Sequence, residues 1–388
     1  MRQWPKVALR DVCVPVERFV APTAGTVYRQ LGVRLWGEGA YERETIDGAD
    51  TKYSKFNRIE ANDLVVNKIW ARSGSVAVAT QELAGTHVSG EFPTFALDRE
   101  NTDPRWIRFI TKWRGFWDLC NEKAQGTSGK NRIKPSQFLA IQIPLPSLAE
   151  QQTIVSRLDM LADRVRRVNE RLDAIEYDAG RMLAVRFRDA IAGAQLRPMA
   201  EVAPSVRRSV SIDINMRYRE VGARSFGKGM FLKPDFEGAD ATWQKPVWIK
   251  SGDVVLSNIK AWEGAIAVAS SEHDGCIASH RYITCVPDSS VLTAGFLTYF
   301  LLSPDGLEQI GLASPGTADR NRTLSLTNLG KIEVPLPPRA KQRSFETLQT
   351  KVAALKARHA IIRQANGALI PATLERLFGE AGAQRTAM

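Results

Sequence analysis

The chain has 388 residues, and its apolar share of 44% and charged share of 24% are ordinary for a globular protein of two or three domains. No stretch approaches 18 consecutive apolar residues and no signal-peptide pattern opens the chain, so we expect no membrane span and a cytoplasmic location. The four cysteines lack paired spacing, which is typical of reduced thiols, and the net charge of +11 favours an anionic partner.

The first 146 residues carry mostly strand signals. Short apolar runs at 63–66 and 75–79, with Gly74 between them, predict a hairpin. The aromatic and aliphatic spacing of 106–117 predicts a helix, whereas the Gly-, Ser- and Lys-rich stretch 126–134 is typical of a loop. These signals together predict a mixed, partly antiparallel sheet with a few packed helices.

A long helix is predicted over 147–193. The prolines of Pro144-Leu-Pro146 cannot lie inside it, and Ser147 with Glu150 has the spacing of a capping box. Apolar residues then alternate in steps of four and three, a heptad pattern that requires a partner helix. These residues are Ile154, Leu158, Leu161, Val165, Val168, Leu172, Ile175, Ala179 and Met182.

The second half of the chain repeats the first at an offset of about 190 residues. Residues 28–39 align with 218–229, and eight of the 17 pairs between 63–79 and 253–269 are identical. Pro335-Leu-Pro337 then opens a second predicted helix over 338–370. Its seam consists of Phe345, Leu348, Val352, Leu355, His359, Ile362, Asn366 and Leu369.

The repeat predicts an α+β fold with two similar mixed α/β domains in tandem, related by a pseudo-twofold axis and separated by two long helices. The predicted parts are 1–146, 147–193, 194–337 and 338–388. Because each helix must run from its own domain towards the other, we expect an antiparallel coiled coil. In that arrangement Leu158, Leu161, Val165, Val168 and Leu172 would face Leu348, Val352, Leu355 and Ile362.

Motifs for catalysis or metal binding are incomplete. Residues 222–229 approach a P-loop but place Gly229 where Ser or Thr would hold Mg²⁺, so a structural turn is the better interpretation. His273, Cys276, His280 and Cys285 have spacing that zinc could use, but the first repeat has no equivalent set. Asp235, Glu237 and Lys245 could form a nuclease cluster, which the first repeat also lacks.

Basic and aromatic side chains on predicted loops remain as candidate DNA contacts, because Lys and Arg neutralise phosphates and Arg also binds guanine edges. Solvated surface charge is the alternative for each of them. The candidates are Lys52, Lys55, Lys68, Arg72, Lys130, Arg132, Lys228, Lys260, Trp262, Arg281, Arg320 and Arg322.

The two repeats keep their framework residues but differ at loop positions. Asp63 matches Asp253, whereas Arg72 aligns with Trp262 and Glu91 aligns with Arg281. A shared framework with divergent loops favours two modules that read two different targets.

The chain resembles the specificity subunit of type I restriction–modification enzymes over its whole length. The resemblance implies a DNA-recognition subunit without catalysis, in which each target recognition domain reads half of a split site. It also implies helices that set the spacing and dock two methyltransferase subunits carrying S-adenosylmethionine, with motor–nuclease subunits completing the restriction enzyme. The residues that carry it are Pro144-Leu-Pro146, Pro335-Leu-Pro337, Glu150-Gln-Gln152, Lys341-Gln-Arg343, Gly126–Arg132, Gly193 and Phe378-Gly379.

Two other classes of function are open at this stage. One is an enzyme that acts alone on DNA as a nuclease or with a nucleotide, and the other is a coiled-coil adaptor that binds only protein. The incomplete motifs argue against the enzyme, and the charge of +11 argues against the adaptor.

Overall fold

The computed structural model describes residues 4–124, 131–241, 245–316 and 322–379. They group into two compact units, one joining residues up to Leu172 with those from His359 onward, the other holding Asp173–Arg358. Each unit therefore contains one globular region and a stretch of each long helix. The four-part division by chain order stays a prediction.

Short strands dominate the globular region of the first unit. They are β1 (Lys6–Ala8), β2 (Cys13–Pro15), β3 (Phe19–Val20), β4 (Val27–Val33), β5 (Ala40–Asp47), β6 (Phe56–Arg58), β7 (Leu64–Val66), β8 (Val76–Val78), β9 (His87–Val88), β10 (Thr94–Leu97) and β11 (Gln142–Pro144). One sheet has the order β2-β10-β7-β8, a second has the order β3-β6-β9-β4-β5, and β1 pairs with β11. Strands β4 and β9 pair in parallel and β4 and β5 antiparallel, so the predicted mixed sheet is confirmed.

The predicted hairpin is β7 and β8, which pair antiparallel with Leu64 opposite Val78. Both of its faces are buried. Leu64, Val66 and Val76 belong to one apolar cluster, and Val65 with Ala77 belongs to another. Burial on both faces explains why the two strands are continuous apolar runs rather than alternating ones.

The prediction of one continuous helix over 106–117 is wrong, because two helices occupy this stretch. They are α1 (Pro104–Ile110) and α2 (Arg114–Lys123), followed later by α3 (Pro135–Leu139). The indole N–H of Trp117 donates to the Thr111 carbonyl at 2.7 Å. In a continuous helix that carbonyl would accept from the Gly115 N–H, and Trp113 instead adopts extended angles as the cap of α2.

The long helix α4 (Leu148–Ile191) agrees with its prediction to within two residues at each end. Only half of the predicted capping box forms. The Ser147 hydroxyl accepts from the Glu150 N–H at 3.4 Å, but the Glu150 carboxylate accepts from the Trp4 indole at 3.0 Å. The start of α4 is thereby tied to the beginning of the chain.

The second unit repeats this architecture. Its strands are β12 (Gln195–Pro198), β13 (Arg217–Ala223), β14 (Met230–Glu237), β15 (Val247–Trp248), β16 (Val254–Ser257), β17 (Ile266–Val268), β18 (Ile277–Ala278), β19 (Tyr282–Cys285) and β20 (Glu333–Leu336). Its shorter helices are α5 (Met199–Val202), α6 (Ala294–Leu302), α7 (Pro304–Leu312) and α8 (Leu326–Gly330). The hairpin predicted from the repeat is β16 and β17, with Val254 opposite Val268.

The second long helix, α9 (Arg339–Phe378), continues eight residues beyond its predicted end at Ile370 and contains Pro371. A proline inside a helix costs about 3 kcal/mol. The final turns offset this cost by burial, because Leu374 is 1% exposed and Phe378 is 7% exposed in the core of the first unit. Tertiary packing therefore overrides the local stop signal.

Within the first unit the two helices run antiparallel, as predicted. Leu158 near the start of α4 shares an apolar cluster with Leu374 and Phe378 near the end of α9. Further along, the Asn366 side-chain amide donates to the Asn169 side-chain oxygen at 3.0 Å. The predicted register was wrong for the start of α4, because Leu158 clusters with Leu374 and Phe378, which lie beyond the predicted partner residues.

A buried glutamine joins each long helix to its own globular region in the same way. Gln151 accepts from the Asp103 N–H and donates to the carbonyls of Asn101 and Pro146, each at 2.9 Å. In the second unit Gln342 accepts from the Thr293 N–H at 3.0 Å, and it donates to the Val291 and Pro337 carbonyls at 2.8 and 2.9 Å. The glutamine that lies five residues after each Pro-Leu-Pro motif is thus a structural anchor in both repeats.

Candidate nucleic-acid interface

Two loops are pinned together at one end of the globular region of the first unit. The tip loop, residues 34–39, connects β4 with β5, and the clamp loop, residues 67–75, connects β7 with β8. The Trp36 N–H donates to the Ser73 carbonyl at 2.7 Å, and the Gly37 N–H donates to the Gly74 carbonyl at 3.2 Å. The two loops therefore form one rigid surface.

The second unit builds the same surface from tip loop 224–229 and clamp loop 257–265. The Phe226 N–H donates to the Glu263 carbonyl at 2.8 Å, and the Gly227 N–H donates to the Gly264 carbonyl at 2.9 Å. The sequence repeat thus preserves a three-dimensional contact as well as the separate loops.

Glycine is required where the first pair of loops touches. Gly37 and Gly74 have φ values of +68° and +79°, which disfavour other residues. A Cβ atom on Gly74 would lie 2.7 Å from the backbone nitrogen of Gly37. Only a bare backbone permits this approach in the first unit. In the second unit, φ values of +62° for Gly227 and +77° for Gly264 favour glycine at the same two positions.

A third and a fourth segment converge on each clamp loop. In the first unit the Lys68 N–H donates to the Glu91 carbonyl at 3.2 Å, and the Ile133 N–H donates to the Lys68 carbonyl at 3.0 Å. The second unit repeats both contacts through Asn258. Its N–H donates to the Arg281 carbonyl at 2.8 Å, and its carbonyl accepts from the Leu324 N–H at 2.7 Å.

This convergence brings Lys68, Arg72 and Arg132 of the first unit onto one surface. The Lys68 ammonium group donates to the Gly90 carbonyl at 2.5 Å, and Arg132, 54% exposed, forms an ion pair with Glu91 at 3.4 Å. Arg72 is half-buried within the clamp loop. Lys130 lies outside the described residues.

In the second unit the predicted residues form a stacked cluster around Trp262. The Arg322 guanidinium lies 4.7 Å and the Lys260 ammonium 5.3 Å from the centroid of its indole ring. Arg322 also donates to the Gly311 carbonyl at 3.1 Å. Arg281 is exposed beside the clamp loop, and the exposed Lys228 lies in the tip loop.

Lys260 is not a free cation. Its ammonium forms a 2.5 Å ion pair with Glu263, and this hydrogen bond lowers the pKa of the Glu263 carboxyl. Ser225 of the tip loop donates to the same carboxylate at 3.0 Å. Arg281 and Lys228 are exposed on the same surface, while Arg320 lies outside the described residues.

Lys52 and Lys55 lie elsewhere. They are exposed in the connection that follows β5, whereas the tip loop precedes β5. Eight strand residues separate the two ends by roughly 25 Å. The Lys55 ammonium lies 3.5 Å from the ring centroid of Phe19. Their predicted role in DNA binding stays a prediction.

Comparison with known proteins shows which protein family this chain resembles. A family model described as the type I restriction modification DNA specificity domain matches residues 1–177. A curated relative, the type I restriction enzyme StySPI specificity subunit of Salmonella potsdam, is 35% identical over 141 residues. The first 177 residues of this chain are therefore similar to the DNA specificity domain of type I restriction–modification systems. The alignment spans 35% of this chain and only 28% of that relative.

Solved specificity subunits share the fold. The crystal structure of the HsdS subunit from Thermoanaerobacter tengcongensis aligns with a TM-score of 0.57 at 20% identity, covering 97% of this chain and 96% of that one. A chain from a structural study of complex assembly and conformational transition in the type I R-M system aligns with a TM-score of 0.69 at 19% identity, covering 97% of each chain. The fold of this chain is therefore shared with these two solved structures over nearly their whole length.

The alternative sites are not assembled in the described part of this chain. Residues 222–229 end strand β13 and form the tip loop into β14, whereas a P-loop must open a helix. His273 Nδ1 accepts from the Ser270 N–H at 3.1 Å, and no group of three or more His, Cys, Asp or Glu side chains is arranged for a metal in the described ranges. Asp235 pairs with Arg219.

None of the described helices is long and apolar enough to cross a bilayer. Sequence reasoning missed two other residues of the interface, the exposed aromatics Trp36 and Phe226. The available signal was an aromatic residue followed by glycine at the same place in both repeats.

Proposed function

We propose that this chain is a specificity subunit that recognises DNA for a type I restriction–modification complex, with each unit reading one half of a bipartite site. The observation that carries the proposal is the duplicated junction of tip and clamp loops. Its backbone contacts are the same in both units, while its exposed side chains differ. Lys68 corresponds to Asn258, Arg72 to Trp262, and Glu91 to Arg281.

The composition of this surface supports nucleic acid as the ligand. Arg and Lys side chains bind phosphates and guanine edges, and aromatic rings contact bases. The net charge of +11 adds long-range attraction to a polyanion. A coiled-coil adaptor would not need different cations on two copies of one loop junction.

The long helices are proposed to set the spacing between half-sites and to dock two methyltransferase subunits, one for each repeat. Apolar side chains remain exposed on both helices, and such residues favour protein contacts where they group. They include Met160 at 64%, Ile175 at 47%, Tyr177 at 68% and Ile361 at 66% exposure. The partner subunits would bind S-adenosylmethionine, and motor–nuclease subunits would complete the restriction enzyme.

Two measurements test the proposal. Methylation-sensitive sequencing of DNA modified by the assembled complex should reveal a split motif with an unread spacer. The purified chain alone should transfer no methyl group and cleave no DNA, because we assign it no catalytic residues. Salt-independent DNA binding by the complex, methylation without a split motif, or methyl transfer by the chain alone would contradict it.

A further inference from the structure

The tip loops carry an unusual residue that the recognition scheme above does not use. Trp36 and Phe226 occupy equivalent positions, and both have left-handed backbone angles, with φ of +58° and +62°. Both side chains are exposed, at 63% for Trp36 and 73% for Phe226. Bulky residues rarely adopt such angles, and strained conformations of this kind concentrate at functional sites.

Folding does not explain why these two positions are aromatic. Glycine would adopt the same angles without strain and would make the same N–H contact with the clamp loop. Neither ring is buried in a core, although the Trp36 ring lies 6.1 Å from that of Trp117 along one side. The strained backbone at these two aromatic residues therefore indicates that each ring contacts a partner outside its own unit.

Each tip loop also carries a cation held by a neighbouring ring. Arg34 is held over the Tyr41 ring at 4.4 Å, and its counterpart Arg224 is held over the Phe231 ring at 4.7 Å. The Lys228 ammonium lies 5.7 Å from the Phe226 ring centroid. The first tip loop has Glu38 at the position of Lys228, so its cationic surroundings are weaker.

We infer that Trp36 and Phe226 are the aromatic DNA contacts of the two units, each stacking on or wedging at one base step in its own half-site. This inference rests on the proposed function. It adds to that function an aromatic contact that deforms or holds the duplex. Aromatic rings inserted at base steps unstack them locally, and flanking Arg and Lys groups neutralise the adjacent phosphates.

The test uses the complex assembled with its methyltransferase subunit and a duplex that contains the mapped bipartite site. Trp36→Gly and Phe226→Gly remove the rings and relieve backbone strain, and denaturant unfolding of each variant separates a loss of binding from a loss of stability. Tyr53→Ala, which removes an aromatic ring that is 54% exposed in the connection after β5, is the matched control. Affinity is measured across a salt series, and 2-aminopurine placed at successive steps of each half-site reports local unstacking.

Each glycine variant should bind about tenfold more weakly. Trp36→Gly should abolish the 2-aminopurine unstacking signal in one half-site only. Phe226→Gly should abolish it only in the other half-site. The salt slope should stay unchanged, because no cation is removed. Wild-type affinity and an unchanged 2-aminopurine profile for both variants would overturn the inference. So would loss of methyltransferase assembly, which would identify the tips as protein contacts. If the wild-type complex fails to bind the duplex, the proposed function fails as well.

Discussion

The side-chain amide of Asn366 donates a 3.0 Å hydrogen bond to the side-chain oxygen of Asn169, linking the two long helices within the first unit. The surrounding seam is largely apolar, with Leu158 at 3% and Leu172 at 7% exposure. A polar pair inside an apolar seam specifies register and orientation at some cost in stability. Any role of these helices in setting the spacing of half-sites depends on such a fixed register.

Replacing one member of the asparagine pair should destabilise the first unit, whereas replacing both should not. Asn366→Leu leaves Asn169 without its partner and should lower the free energy of unfolding by about 1 kcal/mol. The Asn169→Leu/Asn366→Leu double variant should recover that loss or exceed wild-type stability. Denaturant unfolding of the four forms gives the coupling energy by a double-mutant cycle. Additive effects of the two single changes would contradict a direct interaction.

Replacing either buried glutamine anchor should strongly lower the free energy of unfolding. Gln151→Ala removes partners from three backbone groups, and Gln342→Ala does the same in the second unit. Each change should lower the free energy of unfolding by about 2–3 kcal/mol, because it leaves buried backbone groups without hydrogen-bond partners. Gln152→Ala is the matched control, because Gln152 is exposed on the same helix. Equal stability of the Gln151 and Gln152 variants would refute the anchoring role.

A buried carboxylate in each unit depends on one arginine. Asp63 is 3% exposed and pairs with Arg18 at 2.6 Å, and the same geometry joins Asp253 to Arg208. Arg18→Ala should destabilise the protein by about 3–5 kcal/mol, because the buried charge loses its partner. Arg166→Ala, which breaks an exposed pair with Glu170, should cost less than about 1 kcal/mol. Thermal unfolding of the two variants measures the contrast.

The cysteine thiols should be inert in the native protein at pH 8. Burial raises the pKa of Cys13 and of Cys285 to about 12, and it also raises the pKa of Cys120 and Cys276. A raised thiol pKa leaves the group protonated, and only the thiolate reacts. Titration with a thiol reagent at pH 8 should detect little reaction until denaturant is added, when all four cysteines should react. Rapid native reaction would contradict the burial.

Arg72 and Arg281 should affect different halves of the DNA site. If Arg72 reads a base, Arg72→Ala should weaken binding by about 1–3 kcal/mol and relax sequence choice in one half-site only. Arg281→Ala should do the same in the other half-site. If either arginine only contacts phosphate, its loss should be uniform across sequences and lower the salt slope by about one. Unchanged affinity of both variants for a panel of half-site duplexes would remove them from the interface.

Local patterns predicted the elements of this fold well where burial follows a simple period. The heptad steps predicted α4, and the two-sided burial of β7 and β8 matches their continuous apolar runs. The same patterns failed where a distant contact decides the outcome. Pro371 does not end α9, because Leu374 and Phe378 pack into a globular core more than 200 residues away in the chain.

The amino-acid sequence by itself determined that this chain is a duplicated unit with two long helices, because repeats, proline stops and heptads are local properties. It also singled out Lys68, Arg72 and Arg281, since divergence between repeats is visible without coordinates. Only the tertiary structure decided which loop residues share a surface. That choice depends on backbone contacts between segments far apart in the chain, such as Lys68 with Glu91 and Ile133. The strained Trp36 and Phe226 also became visible only there, because a left-handed φ leaves no mark in residue type unless the residue is glycine.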